Sequence, residues 1–224
     1  MPAPPHSAVM KTRTTLLALA LLLPAATALA QDVVSNLDNA STAQIALSTV
    51  GASAAQAFTT GPEARKLDRI VVRLRGFQAG PHTARVKLWT GSGTLPVTLV
   101  EDLGTVPNIP SGNDGEMTVL STTNPDLAPN TRHWVSVTVS AGDFDWRNTS
   151  EPASTGTGTF FQARATSTTG NAGTWTVPGF GGSANFQLME VRPVVPQTFT
   201  VQVPGTLAGD LCGCLLYTSP SPRD

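Results

Sequence analysis

The chain has 224 residues, a formal net charge of −1 and only 13% charged residues, which leaves no electrostatic footprint for nucleic acid or an anionic membrane surface. Its two cysteines stand near the C-terminus, so the fold rests on packing and ladder hydrogen bonds; a unit of about 160 residues buries enough surface to fold without disulfide or metal. Thr, Ser, Val, Gly and Pro are abundant while Tyr, Lys and Glu are scarce, and this balance of β-branched and turn-forming residues favours an all-β chain.

At the N-terminus, Lys11 and Arg13 precede an apolar run from Leu16 to Leu23, which Pro24 ends. Ala28-Leu29-Ala30 then supplies small residues at the spacing a signal peptidase accepts. The run is too short for a permanent transmembrane helix, so residues 1–30 are read as a secretory signal cleaved between Ala30 and Gln31. Met10 makes a better start than Met1, because it places the charges directly before the apolar run.

From Gln31 to Arg192 the pattern is short alternating runs divided by turn signals. Ala54 to Phe58 reads as a strand ending at Gly61-Pro62. Leu67 to Leu74 alternates imperfectly, with Leu67, Ile70, Val72 and Leu74 apolar and Arg69, Arg73 and Arg75 between or beside them. That basic stripe reads as a solvated face that discourages edge pairing. Arg85 to Trp89 is the next strand, then Val97 to Val106 with a bulge expected at Gly104. The turn cluster Ser111-Gly112-Asn113-Asp114-Gly115 precedes a strand at Met117 to Leu120. His133 to Val139 is the cleanest strand, with Trp134, Ser136 and Thr138 on one face and Val135, Val137 and Val139 on the other. Phe144 to Trp146, Phe160 to Ala163 and Phe186 to Val191 complete the set. Nine or ten short strands with no amphipathic helix predict an antiparallel β-sandwich over residues 31–192, jelly-roll-like in its wrapping.

Arg192-Pro193-Val194-Val195-Pro196 reads as an extended linker. Residues 193–213 are taken as that linker plus the opening of a second β-domain at Thr198 to Val203. Cys214 to Asp224 resembles the translation of a sequencing-library adapter, which would make Gly213 the last native residue and strip Cys212 and Cys214 of meaning as a pair.

Three stretches of the body resemble a family. They are Val34 to Leu37 with Ala55-Gln56-Ala57-Phe58-Thr59-Thr60-Gly61; Leu67 to Leu74 with Val86 to Trp89; and Leu127-Ala128-Pro129-Asn130-Thr131-Arg132-His133-Trp134-Val135, in which His133 stands where the family usually has Tyr. Most of residues 33–192 thus resembles the choice-of-anchor R domains of bacterial exported and cell-surface proteins. The resemblance implies a domain that precedes varied attachment signals, and it carries over no catalytic residue.

The residues themselves point to little chemistry. His82 follows Gly80-Pro81 and reads as part of a solvated turn, and His133 opens a strand; no nucleophile elbow accompanies either. Asn113, Asp114 and Glu116, and Asp143 with Asp145, are loop oxygens of the kind that bind Ca²⁺, although neither cluster fits a defined motif. Trp134 is the expected core tryptophan, whereas Trp146 and Trp175 sit near Gly-rich loops and are the candidates for a sugar-stacking platform. The expected function is a non-enzymatic secreted or surface module with a structural or adhesive role. The alternative is a carbohydrate-binding module with a structural calcium ion. The partners are a surface polysaccharide or a neighbouring surface protein, with no nucleic acid and no membrane span in the mature chain.

Overall fold

The computed structural model describes residues 31–91, 93–151, 155–177, 186–187 and 189–195. The signal segment with Ala30, the supposed second domain and the adapter-like tail lie outside these residues, and Gln31 is exposed at the first described position. Among the described residues thirteen strands form: β1 (Val34–Ser35), β2 (Ala43–Leu47), β3 (Ser53–Thr59), β4 (Arg65–Gly76), β5 (Thr83–Thr90), β6 (Thr98–Val106), β7 (Gly115–Leu120), β8 (Asp126–Leu127), β9 (Arg132–Ala141), β10 (Phe144–Thr149), β11 (Thr159–Ser167), β12 (Phe186–Gln187) and β13 (Met189–Pro193). No helix occurs among the described residues.

The strands make two antiparallel sheets, one of eight strands and one of five. In the larger sheet β2, β10, β4 and β7 lie side by side. In the smaller, β3, β9, β5 and β6 do so, with β11 added beside β3. From β2 onward the chain crosses to β3, returns to β4, crosses to β5 and β6, returns to β7, crosses to β9 and returns to β10. This two-Greek-key wrapping is a jelly roll, and the sandwich is therefore as expected. The final strands enter the larger sheet late: β12 pairs with β10, and β13 lies between β4 and β1.

The core follows from alternation. Leu67, Ile70, Val72 and Leu74 of β4 face Val135, Val137 and Val139 of β9 and Val86 and Leu88 of β5 in one buried cluster, closed by Phe58, Phe144, Trp146, Phe160 and Met189. The odd step from Leu67 to Ile70 is a bulge. Arg69 pairs with Arg192 while Leu67 pairs with Pro193, leaving Asp68 as the extra residue that restores the inward phase. The expected bulge at Gly104 also forms, with Leu103 unpaired and Gly104 at φ 99°.

Two buried amides lock the late strands. Asn36 donates from Nδ2 to the Gln187 carbonyl at 3.0 Å and accepts at Oδ1 from the Met189 amide at 2.9 Å. Gln56 accepts from the Gln187 amide at 3.2 Å and donates to the Phe161 and Ala163 carbonyls, bridging the bulge in β11. Both side chains are fully buried, and leaving such backbone groups unpaired is costly.

Several sequence readings change. β4 is a central strand with β7 and β8 along one side and β13 and β10 along the other, so its arginines guard no edge. Arg192 and Pro193 belong to β13 rather than a linker; as the last strand residue, Pro193 needs no further ladder donor. The short strand β2 was not foreseen. His82 is buried, not solvated. Its ring wedges between Gly76 and Gly142, where any Cβ would collide with it. Nδ1 accepts from the Asp143 amide at 3.1 Å, so Nε2 carries the proton and donates to the Gln78 carbonyl at 2.6 Å.

Two buried ionisable groups give stability predictions. His133 is stacked on Phe58 with a centroid distance of 5.6 Å, and neither ring nitrogen has a partner among the described residues. Burial pushes its pKa below the ordinary value of 6.5. The unfolded chain then takes up a proton before the folded one, so stability falls as pH drops through 6.5 and stops falling at the depressed folded value. The melting temperature should drop between pH 7.5 and 5.5, and drop less in His133→Phe; equal drops would refute the assignment. Glu101 is the second group. Burial raises its pKa, but donations from Ser121 Oγ, the Thr122 and Thr123 amides and Thr122 Oγ1 outweigh that and hold it below its ordinary value. Glu101→Ala should cost about 2 kcal/mol in urea denaturation at pH 7, since hydrogen bonds to a charge contribute about 1.5–3 kcal/mol. The difference should shrink as pH falls through the folded pKa of Glu101; a loss below about 0.5 kcal/mol at pH 7 would remove its anchoring role.

Candidate functional site

The outer face of the five-stranded sheet carries a second, smaller core. Phe161, Ala57, Trp134, Trp89 and Leu99 are successive register partners across β11, β3, β9, β5 and β6. One row away run Ala165, Ala55, Ser136, Lys87 and Asp102, small enough near β3 to leave room above the sheet. Trp175 fills that room. It meets Trp89 edge-on, with ring centroids 5.8 Å apart and an interplanar angle of 80°. The turn that carries it is pinned to the sheet: Lys87 Nζ donates to the Gly170 carbonyl at 3.2 Å, and Thr166 and Thr176 exchange backbone hydrogen bonds. Trp89 Nε1 donates to Ser136 Oγ at 2.8 Å.

Trp146 and Trp175 therefore do not form a sugar platform. Trp146 is 0% exposed in the main core and Trp175 is 5% exposed in the outer cluster, so the two lie on different sides of the smaller sheet with neither face offered to solvent. Trp134 is buried as expected, but in the outer cluster.

Where the aromatic row reaches the end of the sandwich, a cleft of about 580 Å³ opens. Thr59 and Thr90, the last residues of β3 and β5, form its floor; Asn130, Thr131 and Arg132 form one wall, and Gly91, Val97 and Thr98 the other. Both walls are held. Thr60 donates from its backbone amide to the Thr131 carbonyl at 3.0 Å, and its Oγ1 accepts from the Thr131 amide at 2.9 Å. Asn130 takes φ 49°, a left-handed conformation asparagine tolerates, and its amide donates to the Gly61 carbonyl. The Arg132 guanidinium lies 3.4 Å from the Phe161 ring centroid and donates to the Gly93 carbonyl at 3.1 Å. On the opposite wall the Gly91 carbonyl accepts from Trp134 Nε1 at 3.4 Å, and a Cβ on Gly91 would strike the Leu95 carbonyl. Sequence reasoning missed this cleft as a site; Asn130-Thr131-Arg132 was singled out only as part of the family resemblance.

The outer face of the eight-stranded sheet is a lattice of ion pairs, and it absorbs most of the carboxylates proposed for calcium. Glu116 meets Arg73 at 2.7 Å, Asp114 meets Arg147 at 3.1 Å and Asp145 meets Arg75 at 3.2 Å. Asp145 is fully buried; burial raises its pKa and the Arg75 guanidinium pulls it back. Asp143 lies 3.4 Å from His82 Nδ1, and Asn113 is exposed in the turn before β7. Asp114 of the first cluster and Asp145 of the second lie near enough for their charges to interact, each held by its own arginine, and among the described residues no three His, Cys, Asp or Glu side chains are grouped to hold a metal. No described helix is long and apolar enough to cross a membrane.

No protein-family model matches the chain, and no curated protein is significantly similar to it.

The placement of Trp175 gives a direct prediction. As a structural member of the outer core, Trp175→Ala should destabilise the protein by about 3 kcal/mol, the low end for deleting a buried Trp side chain. Chemical denaturation followed by Trp fluorescence checks this; a cost near zero would return Trp175 to a surface role.

Proposed function

We propose that the chain is an exported, non-enzymatic jelly-roll module with a structural or adhesive role at a cell surface, related to the choice-of-anchor R domains. The observation that carries this reading is the use made of the reactive side chains. His82 is fixed by two hydrogen bonds and two glycines, His133 is stacked in the core, and the carboxylates of the broad charged face are spent on guanidinium groups. The partly exposed pairs among them add little stability, and they leave that face hydrated with its carboxylates occupied.

A carbohydrate-binding role is the second reading, and the threonine-lined cleft favours it.

The test is to express the full chain in a secreting bacterial host, sequence the exported product from its N-terminus, and incubate it with cell envelopes and insoluble polysaccharides. A product starting at Gln31, retained saturably and releasing no soluble sugar or peptide, is expected. A product still starting at Met1 or Met10 would overturn export. Release of fragments in proportion to time and protein concentration would overturn the non-enzymatic reading.

A further inference from the structure

We infer that the end cleft between the β5–β6 turn and the β8–β9 turn binds a neutral pyranose residue of a polysaccharide, through unpartnered hydroxyl groups rather than through charge. This rests on the carbohydrate-binding reading and gives it a place and a ligand class. The lining selects that class both by what the fold has already used and by what it leaves open.

Charge and aromatic surface near the cleft are already committed. Arg132 is the one charged side chain among the described lining residues, and its guanidinium is stacked on Phe161 and donates to the Gly93 carbonyl, so it serves as wall. Trp89, Trp134 and Trp175 are buried in the outer cluster and present no ring on which a flat aromatic ligand would stack. An ionic or aromatic ligand therefore meets nothing matched to it.

Hydroxyl groups are what the cleft leaves open. The side chains of Thr59, Thr90, Thr98 and Asn130 line it and make no hydrogen bond to another described residue. Each of these groups both donates and accepts, as the ring hydroxyls of a sugar do. Thr90 and Thr98 are direct register partners on β5 and β6, so their side chains stand on one face with Cβ atoms about 5 Å apart. Two hydroxyls at that spacing bracket a hydroxyl of the ligand. Val97 is 61% exposed in the wall opposite Arg132, where its methyls would cover the C–H face of the ring. The volume of about 580 Å³ falls in the usual range for small-ligand sites. Val97, Thr98 and Asn130 are exposed at the rim, which leaves room for the bound residue to lie within a longer chain.

The cleft is also preorganised. The Asn130 amide is tied to the Gly61 carbonyl on one wall, and the Gly91 carbonyl is tied to Trp134 on the other. Binding therefore has little backbone order left to impose.

The experiment is affinity electrophoresis of the full chain through gels containing dextran, galactomannan, xylan or hydroxyethylcellulose, at low and at high salt, with a polymer-free gel as reference. Retardation by at least one of the four, unchanged by salt, is expected. Thr90→Val combined with Thr98→Val keeps side-chain shape and strand propensity while removing both hydroxyls, and should weaken binding about fivefold or more. Asn130→Gly keeps the left-handed turn while removing the carboxamide, and should weaken it about twofold or more. Thr118→Val, the same change on the exposed face of the larger sheet, should bind like the parent. Circular dichroism confirms that each variant is folded; should the double variant unfold, Asn130→Gly and Thr98→Val decide. Retardation that salt abolishes, or affinity unchanged in the folded cleft variants, overturns the inference while leaving the carbohydrate reading standing. No retardation by any of the four polymers removes both, and retention on cell envelopes would then leave only the adhesive role.

Discussion

Everything in the larger sheet depends on the twelve residues of β4. This strand pairs with β7 and β8 on one side and with β13 and β10 on the other, and its two faces meet opposite demands. Inward it must be aliphatic, because Ile70, Val72 and Leu74 press against the smaller sheet. Outward it carries Arg69, Arg73 and Arg75, whose charges are met by Asp68, Glu116 and Asp145. A single slip of phase would send guanidinium groups into the core, so the Asp68 bulge is the device that lets Leu67 and Ile70 both point inward.

The smaller sheet solves a different problem. Its inner face joins the common core, but its outer face is also apolar along one row, which an isolated sandwich would leave wet. Leu95 from the β5–β6 turn and Trp175 from the turn after β11 cover it. The glycines and alanines of this region are there for clearance: Ala55 and Ala57 leave the volume an indole occupies, and Gly170 sits so close to Ser53 and Thr138 that any side chain would collide with them. The same aromatic row positions both walls of the end cleft, through Phe161 beneath Arg132 and Trp134 Nε1 on Gly91.

The fold class was legible because alternation and turn residues act locally. β9 shows this best: Trp134, Ser136 and Thr138 do lie on one face and Val135, Val137 and Val139 on the other. β2 escaped notice because its pattern is faint, with only Leu47 fully buried. The site was far less legible. Proximity to Gly-rich loops suggested that Trp146 and Trp175 were exposed, yet burial is decided by what folds over a residue from elsewhere in the chain. The carboxylates looked free because their arginine partners lie 30 or more residues away, as for Arg147 with Asp114 and Arg73 with Glu116, at separations of 33 and 43 residues. The cleft joins the ends of β3 and β5 to two turns, a juxtaposition created only by the jelly-roll wrapping.

The clamp that Asn36 and Gln56 place on Gln187 sets the order in which the molecule can be completed. The Asn36 bonds span 151 and 153 residues of chain, and β1, bridged at Ser35 to Thr155, gains its strand partner only when β13 arrives. A nascent chain emerging from the ribosome therefore lacks its closing segment until synthesis has passed residue 190, and until then the Asn36 side chain lacks both of its backbone partners. The sandwich would then shut late, when β13 takes its place between β4 and β1.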